Sequence, residues 1–485
     1  MTLRQKTITG LSWSFVGQIG KQASQFVITA SLARLLSTTD FGLIGMATVF
    51  SGFMSIFSDM GISSALIQRK EVVEEHLSTA FWINIACGFS LTALFWLAAP
   101  GIALFYHSPQ LTEIVRLLSF SFMIAAFGVV QQSVLMREMD FRGLMIRDLA
   151  AVIVSGAVGI ALAVRGMGVK SLVIQQLVFV FVNTIVLWWF SSWKPRWLFS
   201  VFHLRELQHF STNTTGFQIA NYISRNVDYL LIGRFLGSDA LGLYTLAYKL
   251  MMVPLQNISW VVHRVLFPAF SKIQDDLSKM RENYLRLIKA IALISFPIMV
   301  GLLVMAHEFV ILVYGAAWEG AAEPIRILAL CGLIQSVSTT TGIIFMSRGK
   351  VEVLLRLAIV NTLITAGMIL AGVRYGLTGV ASFYLVSTLV VANIGFFIVC
   401  RMLHLRVTAL YAALRVPILY STLLLLGLLT AKHLFHLGSW FSLLAVGLAS
   451  ATAYFFLIRK TLRQEGWLLG SNALLLFGRS QSSTA

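Results

Sequence analysis

Cationic side chains inside apolar segments are the residues of this sequence best suited to chemistry. Lys21 lies near the middle of the first long apolar segment, and Arg225 lies near the middle of the seventh. Within a membrane, an ionisable group at such depth costs roughly 2.5–3.5 kcal/mol on insertion scales, so each is a candidate functional residue. Lys249, about a third of the way into the eighth segment, extends the same basic surface. We predict that Lys21, Arg225 and Lys249 bind substrate.

Each of these cations also has a plainer interpretation. Lys249 is shallow enough for its ammonium to snorkel towards the membrane interface. Arg225 precedes Asp228 by three residues, so the two side chains share a helix face and are able to pair locally. Pairing and substrate binding do not exclude each other.

Two carboxylates in apolar segments are candidates for coupling or gating. Asp59 lies in the run Ser58-Asp59-Met60-Gly61, inside the second segment. It either caps a helix break before the glycine or serves as a gating or cation-coupling group, with Lys21 as a possible partner. Asp228 is the other central carboxylate.

Two matched pairs, Glu113 with Arg116 and Glu323 with Arg326, lie at the outer ends of the fourth and tenth segments. Their E-x-x-R spacing places both members of a pair on one helix face. Their shallow depth favours simple snorkelling, and the alternative is an outer gate in which Glu113 meets Arg326 and Glu323 meets Arg116.

The composition indicates which elements must position these residues. Hydrophobic residues make up 58% of the chain and charged residues only 12%, about half the charged share of a soluble domain. The chain is therefore predicted to be an all-α integral membrane protein, which excludes a soluble enzyme. Its net charge of +17 is spread between apolar segments, which indicates membrane topology and argues against nucleic-acid binding. The three cysteines show no pairing or metal-binding pattern.

The apolar segments predict 14 transmembrane helices, the first retained and not cleaved as a signal peptide. With the N-terminus inside, 26 of the 37 Lys and Arg residues lie on the cytoplasmic side and 6 outside, which predicts that both termini are cytoplasmic. The predicted spans are residues 10–34, 41–67, 77–105, 111–136, 144–164, 171–192, 210–235, 241–266, 286–307, 325–346, 353–373, 378–400, 410–431 and 438–458.

An internal repeat divides the predicted helices into two lobes. Ala33-Arg34-Leu35-Leu36 and Gly42-Leu43 return 200 residues later as Gly233-Arg234-Phe235-Leu236 and Gly242-Leu243. The two E-x-x-R pairs repeat at an offset of 210 residues. An even number of helices per repeat makes the repeats parallel. We predict an N-lobe over 1–192, a cytoplasmic interfacial linker over 193–209, a C-lobe over 210–400, and two added helices and a cytoplasmic tail over 401–485.

Two further stretches, 193–210 and 270–287, mix charged and aromatic residues in a way that suits interfacial segments, the second as a helix along the headgroups. The alternative for each is a solvated connector. Phosphate-binding loops, zinc-binding H-E-x-x-H, C-x-x-C and G-x-S-x-G motifs are missing from the sequence. We therefore expect no enzyme activity, no cofactor and no metal site.

Three stretches carry a resemblance to a known family. They are Leu3 to Gly10, Phe57 to Arg69 and, most specifically, Arg264-Val265-Leu266-Phe267-Pro268-Ala269-Phe270-Ser271-Lys272-Ile273-Gln274-Asp275-Asp276. They resemble the bacterial polysaccharide transporters of the multidrug/oligosaccharidyl-lipid/polysaccharide exporter superfamily, and most closely the colanic-acid exporter type of Wzx flippase. The resemblance covers essentially the whole chain.

The resemblance implies an inner-membrane flippase that works by alternating access through a cation-lined cavity between two six-helix lobes. Its substrate would be an undecaprenyl-pyrophosphate-linked oligosaccharide, moved to the periplasmic leaflet for surface polysaccharide assembly. The implied partners are this substrate, membrane lipids, and polysaccharide polymerase and export machinery. The alternatives are a cation-coupled drug antiporter of the same superfamily, which would want a carboxylate-rich cavity, and a polytopic glycosyltransferase or polymerase, which would want a large acidic outer loop.

Overall fold

The computed structural model describes residues 3–59, 66–67, 69, 71–261, 266–434 and 440–464. Within these ranges it does not describe the side chains of residues 3–16, 58–59, 204–218, 220–221, 258–261, 351, 440, 443, 460 and 462–464. Over the described ranges the secondary structure is helical, without β-strands. This agrees with the predicted all-α fold.

The chain divides into two compact units, Met1–Thr245 and Leu246–Ala485. The first unit begins with seven helices in the described residues and ends within the eighth: α1 (Leu3–Leu35), α2 (Thr38–Asp59), α3 (Glu74–Tyr106), α4 (Leu111–Ala126), α5 (Val129–Arg137), α6 (Phe141–Val164), α7 (Val169–Phe190) and α8 (Val201–Val261).

The second unit begins within α8 and is built around a long central helix, α10 (Leu277–Val313). Its core joins α10 to the three helices Thr341–Ser347, Gly376–Met402 and Val407–Leu434 through fully buried side chains that include Tyr284, Ile288 and Phe345. The further helices are α9 (Phe267–Lys272), α10 (Leu277–Val313), α11 (Ala322–Ser338), α12 (Thr341–Ser347), α13 (Val351–Val373), α14 (Gly376–Met402), α15 (Val407–Leu434) and α16 (Trp440–Gln464). A 3-10 turn, Ala316–Ala321, precedes α11.

Most of the long helices have the length and composition of membrane spans. Among the described residues, ten are long and apolar enough to cross a bilayer, or eleven if the bent pair α4 and α5 counts as one span. Large apolar side chains such as Leu97 and Leu104 lie more than 70% exposed on their outer faces, as expected for contact with lipid. The chain is a multi-pass membrane protein, and the count of 14 remains a prediction.

Three predicted spans contain or border a break. The structure bends the predicted span 111–136 by 43° between α4 and α5, where Gly128 precedes the second helix. The predicted span 210–235 lies within α8, as does the predicted span 241–266 up to Val261. This helix is interrupted at Gly237 with φ of 85°. A positive φ of this kind is readily adopted by glycine, so the break coincides with the predicted boundary.

The predicted interfacial helix over 270–287 is not a separate element. Residues from Leu277 onward form the first turns of α10, which continues to Val313. The Asp276 carboxylate caps this helix, accepting a hydrogen bond of 3.0 Å from the backbone N of Lys279 and pairing with its ammonium. These interactions, the backbone bond foremost, lower the pKa of Asp276 to about 2. The cap makes Leu277 the start of a spanning helix.

The segment after α7 is held against the start of α3 by side-chain bonds. The indole N–H of Trp193 donates to Glu74 at 2.9 Å, and the backbone N of Arg196 donates to Ser78. The rings of Trp82 and Trp197 stack with centroids 4.2 Å apart. Residues 191–200 are therefore docked along α3, and helix begins only at Val201. The division into lobes and linker remains a prediction.

Candidate functional site

Lys21 lies in a charged cluster between α1 and α6. Its ammonium is 3.0 Å from Oδ2 of Asp148. Both side chains are partly exposed, Lys21 by 27% and Asp148 by 28%. Sequence reasoning gave Lys21 as a partner of Asp59 in one of two alternatives for Asp59, and the side chain of Asp59 lies outside the described residues.

A second cation contacts the same carboxylate. Arg147 donates from Nε and Nη2 to Oδ1 of Asp148 at 2.9 and 2.6 Å. Its Nη1 donates to Oε1 of Gln132 on α5 at 2.8 Å. Each carboxylate oxygen of Asp148 therefore has its own cationic partner. With two cations and one anion, the cluster of Lys21, Arg147, Asp148 and Gln132 carries a net positive charge; we call it the α1–α6 charge cluster.

Small residues bring α1 and α6 close enough for this pairing. A Cβ atom at Gly17 would overlap the Met145 side chain, and one at Gly156 would overlap Ile28. The contacts therefore run in parallel along both helices, with Lys21 opposite Asp148 between them. The pairing follows from backbone approach at glycines, which lets a lysine stem reach across the helix contact.

The other predicted substrate-binding residues are exposed. Arg225 on α8 belongs to the first unit and Lys249 to the second, and each presents an exposed side chain. Asp228 is buried, and it accepts hydrogen bonds of 2.9 Å from Tyr244 Oη and from the backbone N of Tyr229. Among the described side chains, no ion pair joins Arg225 to Asp228.

The two E-x-x-R pairs differ in their contacts. Glu113 pairs with Lys170 at 2.8 Å. The Arg116 guanidinium instead lies over the Trp96 ring, 5.3 Å from its centroid. In the second unit Glu323 and Arg326 pair with each other. The gate remains a prediction, and each of its residues already has a partner within its own unit.

An apolar groove of about 620 Å³ lies between α15 and α16. Small residues make the space: Ala445, Ala449 and Ala453 recur at helical spacing on α16 and face Gly427 and Ala431 on α15. In the last turn of α15, Lys432 pairs with Glu308 on α10 at 2.8 Å. This ion pair fixes one wall of the groove to the core of the second unit.

Sequence reasoning missed Asp148, Arg147 and Tyr244. Arg147 and Asp148 are adjacent charged residues a few positions inside the predicted span 144–164. This signal was overlooked because Arg147 was counted with the cytoplasmic loop. Tyr244 carries no such signal, because tyrosine is common in membrane helices. Over the part of the chain that the structure describes, no three His, Cys, Asp or Glu side chains group as metal ligands.

Comparisons with known proteins agree with one another. In sequence, the lipopolysaccharide biosynthesis protein WzxC of Escherichia coli is 28% identical over 404 residues, covering 83% of this chain and 82% of the relative. The teichuronic acid biosynthesis protein TuaB of Bacillus subtilis is 29% identical over 470 residues, covering 96% of this chain and 97% of the relative. The succinoglycan biosynthesis transport protein ExoT of Rhizobium meliloti is 27% identical, covering 76% of this chain and 75% of the relative.

The fold is shared with solved transporters. The structure of the lipid II flippase MurJ in an inward closed conformation superposes with a TM-score of 0.74 at 15% identity, covering 93% of this chain and 99% of that one. An inward-facing multidrug resistance MATE family transporter of the MOP superfamily gives 0.66 at 17% identity, covering 80% and 96%. Residues 31–323, more than half of the chain, match the family described as polysaccharide biosynthesis protein. The chain therefore belongs to the polysaccharide biosynthesis protein family.

Proposed function

We propose that this protein moves undecaprenyl-pyrophosphate-linked oligosaccharides from the cytoplasmic to the periplasmic leaflet by alternating access, for surface polysaccharide assembly. The observation that carries the proposal is the α1–α6 charge cluster, a partly exposed group of net positive charge between the predicted first span and α6, which is long and apolar enough to cross a membrane. Family membership supports it, as do the relatives described as biosynthesis and transport proteins. The polytopic glycosyltransferase alternative has no comparable support.

A glycan headgroup needs a polar path through the bilayer. Each sugar hydroxyl without a hydrogen-bond partner costs roughly 2 kcal/mol or more in hydrocarbon, so unaided flipping of an oligosaccharide is negligible. The diphosphate needs cations, which donate charge-assisted hydrogen bonds to phosphate oxygens. We assign this role to Lys21, Arg225 and Lys249. Asp59 and Asp228 are the proposed coupling carboxylates, and Glu113, Arg116, Glu323 and Arg326 the proposed outer-gate residues.

The transport step does not require ATP. Moving an anion outward follows a negative-inside potential, which is worth about 2.3 kcal/mol per charge per 100 mV. The direction of transport that we propose therefore gains energy from the potential of the inner membrane. The proposed orientation, with both termini cytoplasmic, follows from the excess of Lys and Arg on that side of the predicted topology.

The groove between α15 and α16 suits the polyprenyl tail, because its lining is apolar and it lies on helices outside the two predicted lobes. Replacing Ala449 by phenylalanine fills the groove. We expect Ala449→Phe to lower flipping, whereas Ala451→Phe, whose site is exposed and outside the groove, should leave it near the wild-type rate. Equal flipping rates of the two variants would show that the polyprenyl tail does not bind in this groove.

The proposal is tested by measuring where the substrate lies. In spheroplasts, a membrane-impermeant reagent labels only lipid-linked glycan in the periplasmic leaflet. Deleting the gene should lower the labelled fraction, and Lys21→Met protein at wild-type abundance should not restore it. An unchanged labelled fraction in the deletion strain would overturn the proposal. Pull-down of the polymerase with the tagged protein tests the proposed partnership separately.

A drug antiporter is the second candidate, and the buried Asp228 with its Tyr244 partner favours it, because a carboxylate is what a cationic substrate or coupling ion needs. Everted vesicles separate the two functions. Accumulation of a cationic dye driven by a sodium or proton gradient, and lost in Asp228→Asn, would support antiport. We expect no such accumulation.

A further inference from the structure

Asp148 occupies the position in the α1–α6 charge cluster that an anionic ligand would take. Its Oδ2 is 3.0 Å from the Lys21 ammonium, and its Oδ1 accepts from the Arg147 guanidinium at 2.6 and 2.9 Å. A phosphate group presents two oxygens to such a pair of cations in the same way. We propose that Asp148 is an internal counter-ion that holds the diphosphate-binding cations and is displaced from Lys21 by the substrate. This inference rests on the proposed flippase function.

The two cations differ in their freedom to exchange partners. Arg147 is anchored from both sides, since its guanidinium also donates to Gln132 at 2.8 Å, and only 13% of its side chain is exposed. Lys21 contacts the cluster by a single ammonium on a flexible stem, and it is 27% exposed. Lys21 is therefore the cation that turns towards a ligand, while Arg147 keeps Asp148 in place.

Releasing Lys21 does not loosen the helices. The approach of α1 to α6 depends on Gly17 and Gly156, whose missing side chains admit Met145 and Ile28. These apolar contacts lie on either side of the ion pair and persist without it. An Asp148→Asn variant is therefore expected to fold, and it retains a side chain of the same shape.

A competing carboxylate makes physical sense in a transporter. A site with two free cations would hold a diphosphate tightly, and transport requires that the ligand also leaves. An internal anion lowers the affinity by the free energy of the ion pair that the ligand must break. Arg147 becomes an additional substrate-positioning residue, and Asp148 the group that limits affinity.

The test measures the binding of farnesyl diphosphate, a glycan-free probe, to the full-length protein in lipid nanodiscs. Because a partly exposed ion pair contributes no more than about 1 kcal/mol, we expect Asp148→Asn to tighten binding by about threefold to fivefold. Lys21→Met should weaken binding, and Asp148→Asn should bring no gain in the Lys21→Met background. Asp148→Glu, which keeps the pair, should bind like the wild type.

Asp140→Asn is the matched control. It removes the same charge two helical turns earlier, and an asparagine still caps α6 through the hydrogen bond that Asp140 accepts from Gly143. Its binding should stay within about twofold of wild type, because its charge is outside the cluster. An equal gain from Asp140→Asn and Asp148→Asn would reduce the effect to general charge and overturn the inference.

The remaining outcomes separate the inference from the proposed function. If Lys21→Met weakens binding but Asp148→Asn leaves it unchanged or weaker, Asp148 is a structural partner and the inference fails while the function stands. The inference also fails, and the function stands, if neither the wild type nor any variant binds the probe but cells still need the protein to expose lipid-linked glycan. If the deletion strain exposes that glycan normally, the proposed function fails first.

Discussion

Gly42 on α2 and Gly242 on α8 make reciprocal backbone contacts. A Cβ atom at Gly42 would overlap the carbonyl oxygen of Ser238, and one at Gly242 would overlap that of Thr38. The Thr38 hydroxyl also donates to the Asp239 carboxylate. Gly42 and Gly242 are the positions that the sequence repeat relates, as are Thr38 and Ser238. The two copies of the repeat therefore contact each other at positions that the repeat relates.

We predict that any side chain at these glycines opens this contact. Gly42→Ala places a methyl group against the backbone, and overpacking of this kind typically costs about 1–3 kcal/mol. Gly45→Ala is the control on the same helix, because its Cβ would lie 3.4 Å from the Thr245 hydroxyl, an ordinary contact. Cysteines at positions 38 and 239 should crosslink on oxidation in membranes, and Gly42→Ala should reduce the yield. A yield equal to that of Gly45→Ala would contradict the prediction.

The repeat was visible in the sequence, but the contact was not. Matching residues at an offset of 200 indicate related helices, and only the packing of the chain determines whether they touch. Helix ends were predicted well where charged residues flank an apolar run, as for the span 77–105 and the observed Glu74–Tyr106. The bend at Gly128 was missed, because a lone glycine in a helical pattern also occurs in straight helices.

The candidate site shows the same limit. Lys21 stood out because a cation in an apolar segment is costly. Its partner Asp148 lies 127 residues away, and no local spacing links the two. Asp228 was singled out for its depth, yet its bond to Tyr244 depends on the turn around Gly237. Contact partners that depend on helix packing or on a kink cannot be predicted from the periodicity of the sequence.

We predict that Arg225 is essential for transport. Arg225→Ala removes an exposed cation from a membrane-spanning segment and should abolish polymer export, with protein abundance in the membrane unchanged. Arg225→Lys should retain most export, because the charge remains. Arg165→Ala, in an exposed loop position, is the control and should export normally. The measurement is the amount of surface polysaccharide on cells. A normal amount with Arg225→Ala would show that Arg225 is not essential for transport.

The docked segment after α7 provides a test of both packing and orientation. The backbone N of Arg196 donates to Ser78, and that of Ser200 donates to Thr79. Replacing these acceptors, in Ser78→Ala with Thr79→Val, should free the segment for cleavage after Lys194 and Arg196. We expect faster cutting by trypsin in inside-out vesicles and none in intact spheroplasts. Ser90→Ala, exposed on the same helix, should not change the rate.

Either of two results would contradict this prediction. Cleavage in intact spheroplasts would place the segment outside and reverse the proposed topology. Cleavage at the same rate in the double variant and in Ser90→Ala would mean that the indole contacts of Trp193 and Trp197 hold the segment without the two backbone bonds.

The ion pair between Glu308 and Lys432 should stabilise the second unit. Only 13% of the Glu308 side chain is exposed, and its Oε1 is 2.8 Å from the Lys432 ammonium, which also donates to the carbonyl of Val304. Removing one member leaves a largely buried charge unpaired. For a fully buried pair this costs about 3–5 kcal/mol, and the partial exposure of Lys432 lowers the expectation to roughly 1–3 kcal/mol.

Thermal unfolding in detergent measures this contribution. Glu308→Gln and Lys432→Met should each lower the unfolding temperature. The double variant should be more stable than the sum of the two effects predicts, because no unpaired charge remains. Glu319→Gln is the control, since that carboxylate is 63% exposed and 3.9 Å from its partner His307. If the effects of Glu308→Gln and Lys432→Met simply add, the two side chains do not act as a pair, and α15 is attached to α10 by its apolar contacts around Val304 and Leu428 alone.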